Sequence, residues 1–107
     1  MSAATELTNK IIDFIYHQGG YAWRASSVGV YDQQRRAYRT AAKKGVSDVL
    51  SCFKGRLVAI EIKIGADRLS AEQEGFILNI NHAAGLALVV KNFEDFMVEW
   101  VDKTKNF

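Results

Sequence analysis

Apolar positions recur at helical spacing near the start of the chain, then give way to near-continuous apolar runs in its middle. Residues 5–18 read as an amphipathic helix, with Leu7, Ile11, Phe14 and Ile15 in one stripe and Gly19-Gly20 as its stop. Tyr21–Tyr31 interleaves aromatic and β-branched residues with Ser and Gly, which predicts one or two short strands. Residues 32–44 are polar and basic, a connection expected to be partly helical over 33–42.

The pattern centres on Gly45–Ile64. Two runs rich in Val, Ile and Leu flank Lys54-Gly55, a tight-turn dipeptide, and predict a pair of strands. With Lys54 and Gly55 as the two turn residues, Val49 faces Ile60 and Asp48 faces Glu61. Side chains alternate along a strand, so Asp48, Glu61 and Lys63 share a face with Val46, Leu50, Cys52, Leu57 and Ala59. Val49, Val58, Ile60, Ile62 and Ile64 take the opposite face. Both faces have the character of core, as in an interior strand pair.

After a loop at 65–69, Ser70-x-x-Gln73 has the form of a capping box that opens a second helix. Gln73, Ile77, Ile80 and Ala84 continue one stripe along it, which points the Gln73 amide towards the sheet as well as towards the cap. Gly85 ends this helix, Leu86–Val90 is a short buried strand, and Asn92 caps a last helix over Phe93–Lys103. Helix, three strands, helix, strand, helix describes an α/β domain with a mixed sheet and helices on both faces.

Charge changes this picture at one place. Directly opposed residues lie about 4.5–5.5 Å apart at Cβ, where like charges are destabilising. Two carboxylates on a core-like face need an offset that Lys63 alone does not supply. A hard divalent cation, Mg²⁺ or Mn²⁺, would supply it, since rigidly held carboxylate oxygens suit such ions. Asp48 and Glu61 are therefore candidate metal ligands.

The chain has 107 residues and a net charge of only +2, so it is not basic as a whole. Its cations cluster instead: Arg35, Arg36, Arg39, Lys43 and Lys44 form an acid-free group just ahead of Asp48, suited to gripping nucleic-acid phosphates. Length fits one domain over residues 1–107. The one cysteine, Cys52, excludes an internal disulfide, which together with the lack of a secretory pattern makes an intracellular setting the expectation. No apolar run is long enough to span a bilayer, and no Gly-rich loop suggests a small-molecule cofactor. His17 and His82 lack partners at metal-ligand spacing and read as ordinary residues.

Asp48, a hydrophobic stretch and then Glu61-Ile62-Lys63 resembles the signature of the PD-(D/E)xK nuclease superfamily. Gly45-x-Ser47-Asp48 and Ser70-x-x-Gln73 narrow the resemblance to its VRR-NUC (virus-type replication-repair nuclease) group, over about residues 6–90. Ser47 stands where the superfamily usually has Pro, as the VRR-NUC variant allows. The resemblance implies a restriction-endonuclease-like core and a homodimeric, Mg²⁺- or Mn²⁺-dependent endonuclease selective for branched DNA such as four-way (Holliday) junctions. It assigns metal ligation to Asp48, Glu61 and the Ile62 carbonyl, water activation or charge neutralisation to Lys63, and a supporting role to Gln73. It also matches Glu6 to an acid that the first helix brings to the metal. Helical phase instead groups Glu6 with Lys10, Asp13 and His17 on the polar side, where a first-turn acid suits the helix dipole. Glu6 is thus a candidate both for the metal site and for a helix-dipole role.

Overall fold

The computed structural model describes residues 1–25, 30–32, 37–39 and 44–107, the two short inner stretches as backbone only. Its centre is a four-stranded sheet in the order β1 (Tyr21–Arg24), β4 (Val49–Phe53), β5 (Arg56–Ile62), β6 (Leu86–Val90). β1, β4 and β5 are antiparallel, while β6 runs parallel to β5. That parallel step needs a crossover, which the helix α2 (Ala71–His82) supplies. The expected α/β architecture with a mixed sheet and flanking helices is therefore what the chain forms.

The sequence sets the β4–β5 register at its turn. Lys54 and Gly55 both take positive φ, 51° and 77°, the two-residue turn whose twist matches antiparallel strands. Val49 then pairs with Ile60 and Phe53 with Arg56. Val30 and Tyr31 fall in the expected strand, whereas residues 37–39 differ from expectation. In place of a partly helical connection, β2 (Val30–Asp32) and β3 (Ala37–Arg39) form a separate antiparallel ribbon with Tyr31 opposite Tyr38. Val30, Tyr31 and Tyr38 are strand-favouring types, and a helix over this stretch had no apolar stripe to bury.

One face of the main sheet carries Ala22, Val49, Phe53, Val58, Ile60, Ile62, Leu86, Leu88 and Val90, all buried. The helix α1 (Ala3–His17) covers it with Leu7, Ile11 and Ile15, and α3 (Phe93–Thr104) with Phe96 and Trp100. Phe14 meets Phe93, Phe96 and Trp100 edge-on, at centroid distances of 5.5–6.1 Å, and so ties the two helices together. Both helices start on a side-chain cap: Ser2 accepts from the Thr5 N–H and Asn92 from the Asp95 N–H. Val101, one residue after Trp100, is 61% exposed and lies outside the core.

The other face is covered less completely. α2 lies over β5 and β6 there, with Ile80 and Leu57 lining one cavity, yet none of its residues is fully buried. That thin cover leaves room on the face that bears Glu61. Among the described residues, no helix is long and apolar enough to cross a membrane.

Candidate metal and phosphodiester site

Asp48 sits one residue ahead of β4, where strand pairing gives way to side-chain bonding. Its backbone carbonyl accepts a hydrogen bond from the Ala25 N–H at 2.8 Å. Its Oδ2 accepts one from the Ile62 N–H, also at 2.8 Å. The carboxylate thus occupies the place of a backbone acceptor beside β5 and is held against Glu61. Glu61 projects from the centre of the sheet, paired along β6 with Val89.

Glu61 is 2% exposed, and its Oε1 has no hydrogen-bond partner among the described residues. The group facing it is another carboxyl, so a hydrogen bond between the two forms only when one of them holds a proton. Burial, first, and then that hydrogen bond and the charge of Asp48 raise the Glu61 pKa from near 4.5 to about 8. Lys63 opposes the rise: its Nζ lies 3.9 Å from Glu61 Oε2, and its side chain is 15% exposed. At that distance the amine interacts by charge rather than by a hydrogen bond, which leaves its protons free for another partner.

Beside Asp48 opens a polar cleft of about 370 Å³, lined by Lys44, Gly45, Val46, Ser70, Glu72 and Gln73. Gly45 explains how the cleft closes at its base. It has φ of 81°, and a Cβ there would overlap the Glu72 carbonyl and come within 2.9 Å of the Gln73 N. Only glycine lets the strand approach run under the first turn of α2. Gly45→Ala should therefore cost about 2–4 kcal/mol, from the left-handed backbone and the overlap together. Thermal denaturation should show a fall in Tm of order 10 °C; an unchanged Tm would mean that α2 shifts freely away.

The other expected residues are placed as follows. Gln73 lines the cleft, but its Oε1 accepts from the Ser70 N–H at 2.9 Å while Ser70 Oγ accepts from the Gln73 N–H. The capping box thus takes the carbonyl end of the amide and leaves only Nε2 for the cleft. Glu6 is exposed and lines a different groove with Lys10, Ile64, Lys91 and Phe93. Among the described residues, no cluster of three or more Asp, Glu, His or Cys side chains at metal-holding distance is present. His17 Nδ1 contacts the Asp13 carbonyl at 2.7 Å, within its own helix. Lys44 reaches the cleft, Arg39 lies on β3, and Arg35, Arg36 and Lys43 fall outside the described residues.

Glu72 was not anticipated. It stands beside Gln73 in the first turn of α2, and the tight contact at Gly45 is what brings that turn to Asp48. A glycine at helix-packing distance leaves no periodic trace in a sequence.

The donor set fits a small hard cation. Two adjacent carboxylates, one with an unpartnered buried oxygen, offer what Mg²⁺ or Mn²⁺ takes, and such ions complete their shell with waters and substrate phosphates. No protein-family model matches the chain, and no curated protein matches it.

Proposed function

We propose that this chain hydrolyses phosphodiester bonds in DNA as an Mg²⁺- or Mn²⁺-dependent, structure-selective endonuclease. One observation carries the reading. The Ile62 N–H holds Asp48 beside Glu61 on the thinly covered sheet face, and Glu61 keeps a buried oxygen without a partner among the described residues. An arrangement that penalises ionisation is costly for a purely structural cluster and useful for one that receives a cation.

Asp48 and Glu61 hold the ion, with the Ile62 carbonyl, between Glu61 and Lys63 in the chain, as a further oxygen. When bound, the ion lowers the pKa of water and neutralises charge on the phosphate and leaving oxygen. The Ile62 N–H holds Asp48 through one oxygen, Oδ2, which leaves the other to serve as the ligand. Lys63, free of a hydrogen bond to Glu61, takes the proton of the attacking water or offsets charge on the pentavalent transition state. Gln73 orients a water or phosphate through its Nε2. Lys44, with Arg35, Arg36, Arg39 and Lys43, grips backbone phosphates without reading bases.

Branched DNA is the substrate class favoured by the resemblance of Gly45-x-Ser47-Asp48, Glu61-Ile62-Lys63 and Ser70-x-x-Gln73 to VRR-NUC nucleases. So small a domain encloses little duplex, and a homodimer would present two sites to two strands. The test is direct: labelled four-way junction, flap, linear duplex and RNA are incubated with Mg²⁺, Mn²⁺ or EDTA. Cleavage of the junction ahead of linear duplex, abolished by EDTA, is the expected result. A preference for flaps, ends or RNA would move the substrate class. Binding without cleavage of any substrate in either metal would leave a catalytically silent DNA-binding adaptor.

A further inference from the structure

The edge strand β1 bears aromatic residues that the core does not use. Ala22, between them, is buried against Ser51, whereas Tyr21 and Trp23 are 62% and 41% exposed. Pairing fixes their side of the sheet. Tyr21 is opposite Cys52 and Trp23 is opposite Leu50, so both share a face with Ala59 and Glu61. Tyr16, 47% exposed at the end of α1, extends the row: its ring meets Tyr21 at 5.8 Å, and Tyr21 meets Trp23 at 5.7 Å. The three rings form a continuous solvent-facing strip.

The strip is aimed at the carboxylates. Ala25 is opposite Asp48 through its N–H, and Trp23 is opposite Leu50, which makes Trp23 the diagonal cross-strand neighbour of Asp48. Diagonal neighbours lie about 7–8 Å apart, within reach of an aromatic side chain. A base attached to a phosphate held at Asp48 and Glu61 would reach that indole.

From the geometry we infer that Trp23, with Tyr21 and Tyr16, forms a stacking platform for unpaired bases next to the phosphodiester cut at Asp48 and Glu61. This rests on the nuclease reading and narrows its substrate class: the strand cut is single-stranded or frayed beside the scissile phosphate. Planar rings with polar tips suit nucleobases, since every base has a face to stack, whatever its sequence. Charge favours a polyanion. Lys44 and Lys63 flank the carboxylate end of the strip. β1, β4 and β5 contain no acid other than Glu61. A second copy seated on the strip would bring two such cationic rims together.

The chain has two tryptophans, and Trp100 is 3% exposed in the aromatic core, so Trp23 dominates quenchable emission. Intrinsic fluorescence is followed in EDTA while a ten-nucleotide oligothymidylate, an abasic strand of equal length or a blunt duplex is added. The thymidylate strand should quench the emission and bind about tenfold or more tightly than the abasic strand. Trp23→Ala should erase that preference, and Trp23→Phe, which keeps a ring, should retain most of it, with circular dichroism confirming both folds. Equal affinity for thymidylate and abasic strands with unchanged emission would overturn the platform. So would a doubled mass by light scattering with Trp23 already shielded from acrylamide, which would make the strip a contact between copies. Because EDTA removes the need for cleavage, this result stands apart from success or failure of the nuclease assay.

Discussion

Glu61→Gln is expected to melt of order 10 °C above the natural protein at pH 8 in EDTA, and to lose DNA cleavage. The two effects have one cause. Glu61 holds its proton up to about pH 8 in the folded chain and loses it near 4.5 when unfolded. Between those values the folded state binds more protons than the unfolded state, so stability falls as pH rises through the window and then levels off. The full penalty is at most about 5 kcal/mol, several degrees of Tm per kcal/mol in a domain this size. Glutamine has the shape of the protonated acid and can still donate to Asp48, but carries no charge to be penalised. Near pH 4 the two proteins should therefore melt together, and the gap should open as pH climbs.

Added Mn²⁺ at pH 8 should raise the Tm of the natural protein with release of a proton, and leave Glu61→Gln unmoved. Differential scanning fluorimetry across pH 4–9, with and without Mn²⁺, reads all of this. Parallel pH curves for the two proteins would show that the carboxyls do not share a proton. A Mn²⁺ response in the variant would put the ion somewhere other than at Glu61.

The part of this site that follows from the chain is the part built by strand geometry. One turn dipeptide, Lys54-Gly55, is enough to place Asp48 beside Glu61, because a two-residue turn leaves no freedom in register. Helix faces carry less information. The stripe through Gln73 is genuine, yet the same side chain is also the third residue after Ser70, and the local cap captures its carbonyl oxygen. Spacing alone does not decide between two partners that a flexible amide can both reach. Glu6 illustrates the converse, since its helical phase agrees with the separate groove that it lines with Lys10 and Lys91. Neither the approach of α2 at Gly45 nor the aromatic strip on β1 was legible. Both depend on which elements become neighbours, and periodicity within one element does not say so.

Lys63→Ala should lower DNA cleavage by two to four orders of magnitude while DNA binding persists, the range seen when a positioned proton-transfer or charge-stabilising group is removed. A second consequence separates chemistry from electrostatics. Lys63 alone opposes the upward shift at Glu61, so its removal makes Glu61 hold its proton more tightly and weakens cation binding near neutral pH. Raising the pH to 9 with saturating Mn²⁺ drives that proton off in both proteins, because the cation competes for the same oxygens. If the amine acts only by keeping Glu61 ionised, cleavage by the variant at pH 9 with saturating Mn²⁺ should approach that of the natural protein. If it handles the proton of the attacking water or the charge of the transition state, the deficit should survive at pH 9 even though Mn²⁺ binding recovers. The position of Nζ, 3.9 Å from Glu61 and outside hydrogen-bond reach, favours the second outcome, because an amine whose task was to pair with Glu61 would be bonded to it.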